Sequence, residues 1–550
     1  MSSQHPQISL LSAGLACAGS YVLYQFIQMV LVGRRLKAHN YMLLSDKTLW
    51  RVLFPSYLDI PGVVHGNMHP IKAKYSEFDQ AGMEAHVQVS LEQPNCPVTF
   101  IADIEAIKEI TRPKAPFVTD VRATRLFSGR YGPNVVTLEG DAWKRHRRIT
   151  QRAFSEENSK LVWSESVFIT EKLFEKWDTE QGQEVHADKI TTITETLALM
   201  VISSAALGQR MSWDEDPNKT LPPGYTVSFQ QATNTVARKM LTRATTPSWA
   251  EGWSESTRTM ATGYREFGKY LKDIAASYRR EGKLDQKLTG TKALGSTPTD
   301  NLFKIIMAAN EGEATEENKS FSDEEVTGNA FLFLIAGHET TAHGLAFSLG
   351  FLAAYPEVQK EVYSQVKSVL GSRKHLEYAD MNELKLVTGA FYEALRMYPL
   401  APRIARIVEE DYVLSVARNS PGSDGNDRET IFIPAKSRVV IALAAVHYNP
   451  RHWPEPEVFR PTRFTDAYNK DAFLSFGTGR RACVGRKFAE TEATAVLATV
   501  LAQYEISIDH SKFTSIPGES LEARRERLLR PFYMLTMAPE NLPLVFKRRA

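Results

Sequence analysis

The residue with the most chemistry to offer is a cysteine near the C-terminus, in the run Phe476-Gly477-Thr478-Gly479-Arg480-Arg481-Ala482-Cys483-Val484-Gly485. Only three cysteines occur, Cys17, Cys96 and Cys483. With no Cys-x-x-Cys pair among them, a disulfide framework and a cysteine-based zinc or iron–sulfur site are excluded. One thiolate is enough for a haem iron, because the porphyrin supplies the other ligands of its plane. Glycines around Cys483 would let backbone lie close to a flat macrocycle without Cβ clashes. The run that follows reads as a helix, so Cys483 is expected at a helix N-terminus, a position that lowers a thiol pKa. Arg481 offers a cation to a carboxylate such as a haem propionate.

A second group is Ala336-Gly337-His338-Glu339-Thr340-Thr341, inside a long apolar helical pattern. Glycine and two threonines are poor helix formers, so local propensity is given up there for another purpose. Phe333, Ala336, Gly337 and Thr340 share one stripe by their i, i+3, i+4 spacing. Small residues on that stripe leave room for a cofactor and a diatomic ligand. The Thr340 hydroxyl beside the Glu339 acid makes a proton-delivery pair of the kind that oxygen cleavage needs. Packing against a neighbouring helix would explain the small residues but not the acid and the alcohol.

Two further patterns support these. Trp143 and Arg147, four apart on a helix expected to be capped by Asp141, share a face where an indole N–H and a guanidinium can hold a propionate. Lys144, Arg145, His146, Arg148 and Arg152 around them read first as a solvated basic face. Glu393 and Arg396 are three apart on a helix stopped by Tyr398-Pro399, and can pair on one side of it.

The elements that must position these groups are mostly helical. Periodicity predicts helices over 322–355, 356–370, 381–397 and 485–504. Short β patterns are predicted over 86–91, 97–101, 430–433, 438–442 and 542–546. The polar interval 419–428 reads as a turn between two strands, and 281–300 as a surface connection. At the N-terminus, 8–32 is apolar enough for one transmembrane helix, and Arg34, Arg35 and Lys37 follow it, which favours a cytosolic far side. A cleaved secretory peptide carries its basic residues before the apolar run, not after. Pro55, Pro61, Gly62 and Pro70 form a hinge onto the folded body. The division expected is an anchor over 1–37, spanning at about 8–32, and one catalytic domain over 38–550. Lys+Arg is 66 against Asp+Glu 64, so charge gives no footing for nucleic-acid binding. Sequons at Asn218 and Asn318 should stay unmodified on a cytosolic body.

The cysteine run resembles the signature of the cytochrome P450 family, Phe-x-x-Gly-x-Arg-x-Cys-x-Gly, at every fixed position: Phe476, Gly479, Arg481, Cys483 and Gly485. The 336–341 run is similar to the family's Ala-Gly-x-Asp/Glu-Thr-Thr, and Glu393/Arg396 to its Glu-x-x-Arg. In that family the pair is structural and completed by an arginine, which Arg463 matches; Arg406 resembles a further propionate contact. The hinge lacks the Pro-Pro-Gly-Pro run common in microsomal members.

The resemblance implies a P450 fold, mainly α with small β-sheets, behind one N-terminal transmembrane helix. It implies haem b with Cys483 as axial iron ligand, and Arg481, Trp143, Arg147, Arg406, Phe476, Gly479, Gly485, Ala336 and Gly337 around it. Glu339 and Thr340 would be catalytic. The reaction implied inserts one atom of O₂ into an organic molecule, with electrons from NADPH through a P450 reductase, and cytochrome b5 as an optional partner. The basic face near Trp143 would dock that reductase. The location implied is the endoplasmic reticulum membrane, single-pass, with the catalytic domain facing the cytosol. Phe331, Phe333, Leu400 and Ala401 are apolar pocket candidates, along with the loop 116–136. They suggest a lipophilic substrate, a terpenoid or other secondary metabolite. The alternatives are a fatty acid or xenobiotic, a P450-like isomerase or dehydratase, and a non-enzymatic haem-binding protein.

Overall fold

The computed structural model describes residues 10–44, 59–121, 124–125, 129–180, 182–215, 221–289, 301–312, 320–419, 425–533 and 535–549. Its backbone is the helix Asp323–Ala354. Ser322 and Glu325 start it with reciprocal side-chain-to-backbone hydrogen bonds, Ser322 N–H to Glu325 at 2.9 Å and Glu325 N–H to Ser322 Oγ at 3.2 Å. Past the first turn it is apolar nearly all round and buried on most sides, the pattern of a core helix. Tyr355-Pro356 ends it and opens the next helix, Pro356–Leu370.

Ile190–Leu207 lies along the long helix and is itself apolar enough to cross a membrane, yet most of it is buried in the body. Gly337 sets how close these two helices come: a Cβ there would lie 2.9 Å from Ile202 Cδ1. The small residue at 337 therefore faces a neighbouring helix, the packing alternative raised above, and not the stripe of Ala336 and Thr340. Lys385–Met397 and Arg486–Gln503 close the core on other sides. A six-stranded sheet runs in the order Asn40–Met42, Ala85–Ser90, Val98–Ile101, Arg438–Ala442, Arg403–Val408, Phe117–Thr119. One continuous hydrophobic cluster extends from Met68 to Phe546.

The mainly α architecture with small sheets agrees with the sequence patterns, and Pro356–Leu370 and Arg438–Ala442 agree to the residue. Four expectations need correction. The span 381–397 is two elements, a 3₁₀ turn Tyr378–Asn382 and the helix Lys385–Met397, broken at Leu384 (ψ 42°). Residues 281–289 finish the helix Glu255–Thr289, since Lys, Glu and Gln are good helix formers however polar the run; 290–300 lie outside the described residues. Glu139, not Asp141, is the N-cap of Gly140–Gln151; Asp141 sits in the first turn and pairs with Lys144 at 2.8 Å. Of the turn 419–428, residues 420–424 are outside the described set, and Arg428 already belongs to the strand Arg428–Ile433, paired with Tyr412–Ala417.

At the N-terminus the helix Leu10–Arg35 exposes most of its described side chains. Its last turns meet the body: Met29 is buried with Val87 and Val89. Positions 8 and 9, Pro55, Asn218 and Asn318 lie outside the described residues.

Candidate active site

Cys483 sits in a loop closed on itself, its backbone N–H donating to the Phe476 carbonyl at 2.8 Å. The turn needs left-handed backbone at Gly477 (φ 69°) and Gly479 (φ 66°), and a Cβ on Gly479 would lie 2.7 Å from the Thr111 carbonyl. Gly485 is the N-cap of Arg486–Gln503 and its N–H bonds the Cys483 thiol. From the Gly140–Gln151 helix, Arg147 Nη1 donates to the Ala482 carbonyl at 2.9 Å. The expected fall in thiol pKa is reversed. Burial pushes the Cys483 thiol up, and the Gly485 N–H, Arg147 and Arg486 pull it down by less. In a low-dielectric surrounding, one N–H and two offset cations do not outweigh the cost of a buried anion. A directly bonded cation such as iron reverses that balance.

Protein surrounds Cys483 closely, yet the residue is accessible. Ala336 is likewise exposed, in a helix whose residues 326–335 are buried. Phe154 links the two sides: its ring meets Phe333 edge-on at 5.7 Å and lies 3.7 Å from where a Gly485 Cβ would stand.

At the rim, three guanidinium groups gather. Arg481 lies over the Trp143 indole at 4.4 Å and Arg480 at 5.6 Å. Arg481 also donates to the carbonyls of Val135 (3.0 Å) and Leu138 (2.5 Å) and pairs with Glu139 at 2.7 Å. Arg406 is buried at 7% exposure and bonds the Ala405 carbonyl; among the described residues no carboxylate pairs with it. Burial, then repulsion from Arg481, brings its pKa down to about 10. It lines, with Trp143, Glu139, Arg480 and Arg481, a cavity of about 370 Å³. A buried cation without a counter-ion beside a cavity is a place for a carboxylate. An accessible thiol, an exposed Ala336 on the long helix, and a buried Arg406 with no ion-pair partner among the described residues together fit haem b and its propionates. The basic run thus divides: Lys144 and Arg152 are exposed, while Arg147 turns to the loop and His146 is buried against Asn329 (3.0 Å) and Glu325 (3.1 Å).

On the long helix, Glu339 and Thr340 engage different partners. Thr340 donates to the Ala336 carbonyl at 2.6 Å. Glu339 Oε1 accepts from Thr536 Oγ1 at 2.9 Å. Thr536 Oγ1 meets His343 Nδ1 at 2.7 Å, and His343 Nε2 lies 3.4 Å from Glu195 Oε1. The Glu195 side chain is 38% exposed. Nothing local marks Glu195, His343 or Thr536 in the sequence; the i, i+4 spacing of Glu339 and His343 was the one available signal. Of the apolar candidates, Phe331 is fully buried against Tyr131 (4.8 Å), Phe333 is buried against Phe154, Leu400 is half-buried and Ala401 exposed. Within 116–136, residues 122–123 and 126–128 are outside the described set.

Beneath the cysteine loop, Glu393 and Arg396 are fully buried and paired twice, at 2.7 and 2.9 Å. Arg463 Nε donates to Glu393 at 3.0 Å, and Arg396 also donates to the carbonyls of His447 and Pro456, each at 2.8 Å. His447 bridges this network to the loop: Nδ1 meets the Arg396 carbonyl at 3.0 Å, and Nε2 accepts from Leu474 N–H at 2.9 Å. Burial, then Arg396, lowers its pKa to about 3, so the ring is neutral.

The chain matches the family model described as Cytochrome P450 over residues 60–525. It is 35% identical over 495 residues to cytochrome P450 monooxygenase 124 of Postia placenta, covering 89% of this chain and 90% of that one. Cytochrome P450 monooxygenase ORF6 of Penicillium roqueforti is 29% identical over 427 residues, 72% of this chain and 70% of its own. A crystal structure of the cytochrome P450DA heme domain superposes with a TM-score of 0.65 at 24% identity, covering 88% of this chain and 96% of that chain.

Proposed function

Since this chain belongs to the cytochrome P450 family and is a haem-dependent monooxygenase, we propose that it oxidises a lipophilic molecule of the terpenoid or secondary-metabolite class. The observation that carries Cys483 as the residue that would hold the haem iron is its accessibility inside an otherwise interlocked loop. When bound, haem supplies the oxygen-activating iron, and the thiolate's electron density favours O–O cleavage. Arg406, with Trp143 and Arg147, would hold the propionates; Arg481 positions the Trp143 ring and the backbone at Val135 and Leu138.

Proton supply is assigned to four groups in series. Glu195, half in solvent, passes a proton to His343 Nε2. His343 Nδ1–H hands one to Thr536 Oγ1, whose own proton goes to Glu339 Oε1. Thr340 commits its hydroxyl hydrogen to Ala336, which leaves its lone pairs to accept a hydrogen bond from a water. Donor and acceptor order along the series is consistent in one direction, which a relay requires.

A membrane position fits the rest. The apolar span of Leu10–Arg35 ends in basic residues, which supports an anchor over 1–37 and a body over 38–550 facing the cytosol from the endoplasmic reticulum. Trp249 and Trp253, 69% and 73% exposed with rings 4.6 Å apart, suit the membrane–water interface and would give a lipophilic substrate a short path. Lys144, Arg152 and Arg480, exposed on the cysteine side, offer a docking face to an acidic reductase fed by NADPH.

The purified protein should turn over only with NADPH, a P450 reductase and O₂. Turnover of a hydroperoxide alone would overturn the monooxygenase route in favour of an isomerase or dehydratase. Spectral titration with terpenoids, fatty acids and aromatic xenobiotics decides the substrate class: only the first should shift the haem band at micromolar concentration.

A further inference from the structure

Between Asp59 and His86 the chain gathers three histidines and two carboxylates that the oxidative site does not use. One oxygen of Asp59 meets His65 Nδ1 at 3.1 Å and the other meets His69 Nδ1 at 2.7 Å. The two imidazoles lie against each other, centroids 3.7 Å apart and tilted by 39°. One potential ligand atom from each of these three residues lies within 4.8 Å of the other two. Across the His69 ring, Nε2 faces Glu77 Oε1 at 3.2 Å. Beyond Glu77 stands His86, 2% exposed, with Nε2 3.7 Å from Glu77 Oε2 and no hydrogen-bond partner on either ring nitrogen among the described residues.

We propose that Asp59, His65 and His69 bind one divalent transition-metal ion, zinc by donor chemistry, with Glu77 orienting His69 from behind. Two imidazoles and a carboxylate are borderline donors that suit zinc over calcium or magnesium. Tetrahedral zinc holds its ligand atoms about 3.3 Å apart, and one atom from each of the three side chains already lies within 4.8 Å of the others, so small side-chain rotations would close the site. Histidine ligands usually donate their second N–H to a carboxylate, and Glu77 Oε1 stands 3.2 Å from His69 Nε2, beside that place but outside hydrogen-bond geometry. The fourth position is left for water, since all three side chains are only partly buried.

Charge favours a dication. Two carboxylates, Asp59 and Glu77, stand within 3.2 Å of the His65–His69 pair. Lys74 and Arg403 line the same small cavity, but Lys74 is engaged by Glu457 (2.7 Å) and Glu526 (3.0 Å). Three ligands from 59–69 joined to Glu77 on Ser76–Ala81 would fasten the segment after the anchor onto the body.

The test uses full-length, haem-loaded protein stripped of loosely held metal and given ZnCl₂. One zinc per chain beyond the haem iron is expected, with zinc-edge X-ray absorption reporting only N and O ligands at about 2.0 Å. Asp59→Asn and His65→Ala should each weaken zinc binding at least hundredfold, and Glu77→Gln about tenfold, all with unchanged haem content and circular dichroism. Wild-type protein that takes up no stoichiometric zinc, a sulfur ligand at the zinc edge, or variants that bind as wild type would each overturn the site.

Discussion

On the cysteine side of the site, the loop 476–485 is held by its own glycine turns, by Arg147 on the Ala482 carbonyl, and from beneath by Glu393, Arg396, Arg463 and His447. On the Thr340 side, by contrast, Glu339 accepts two hydrogen bonds from Thr536 and then reaches solvent through His343 and Glu195 by one contact each, Thr536 and Glu195 being brought from elements far from the helix in sequence. The first side is held by several redundant bonds, whereas the second has one contact per step beyond Thr536. A redundant cage keeps a ligand atom fixed whichever bond fluctuates, and a serial chain moves protons only when every member is present. The difference predicts that damage on the cysteine side removes the cofactor or the fold, whereas damage on the helix side leaves both and changes where electrons go.

The largest break is Cys483→Ser, which should abolish monooxygenase turnover while circular dichroism of the protein stays that of wild type; retained turnover would remove the thiolate from the reaction. Next is Glu393→Ala. It leaves Arg396 and Arg463 without their buried partner and should cost ~3–5 kcal/mol, read as a fall in Tm and in haem retained on purification. An unchanged Tm would show that the network is dispensable.

On the helix side, Glu339→Gln should lower kcat about 10²-fold at normal haem content. Thr340→Ala should instead spend NADPH on peroxide, seen as a higher ratio of H₂O₂ to product. Thr536→Val should cost ~tenfold in kcat, the worth of one hydrogen bond of about 1.4 kcal/mol. A normal rate in Thr536→Val would mean that protons reach Glu339 by another route.

The smallest effect is a pH dependence on the cysteine side. The folded His447 pKa of about 3 lies below its unfolded value near 6.5. Above pH 6.5 the ring is neutral in both states and contributes no slope. As pH falls from 6.5 toward 3, the unfolded chain takes up a proton that the folded one refuses, so stability declines across that window. Protonating Nε2 would also end its acceptance from Leu474 N–H. Tm measured from pH 7.5 to 5 should fall less steeply in His447→Gln than in wild type.

Legibility differed between the two sides for the same reason. Phe476, Gly479, Arg481, Cys483 and Gly485 stand within ten residues because a tight loop around one atom must be made of neighbours, so the pattern is visible in one line of sequence. Long helices such as Asp323–Ala354 were legible from period and cap. Hidden from any local pattern were Phe154 against Phe333, the bridge through His447, and the use of Gly337 for contact with Ile202 rather than for the open stripe. Polar composition also misled at 281–289, where charged residues with high helix propensity extend a helix.

By itself the sequence determined the mainly helical class, the apolar span at the N-terminus and the position of the one thiol in the body set for a metal. Those follow from periodicity, from length against a bilayer, and from short-range backbone sterics, all of which act between near neighbours. Only the tertiary structure decided that the Cys483 thiol is pushed up by its surroundings, that Arg406 is a buried cation with no ion-pair partner among the described residues, and that Glu339 leads to Glu195. Desolvation and hydrogen-bond partnership depend on what the rest of the chain packs around a group, and no spacing along the chain encodes that.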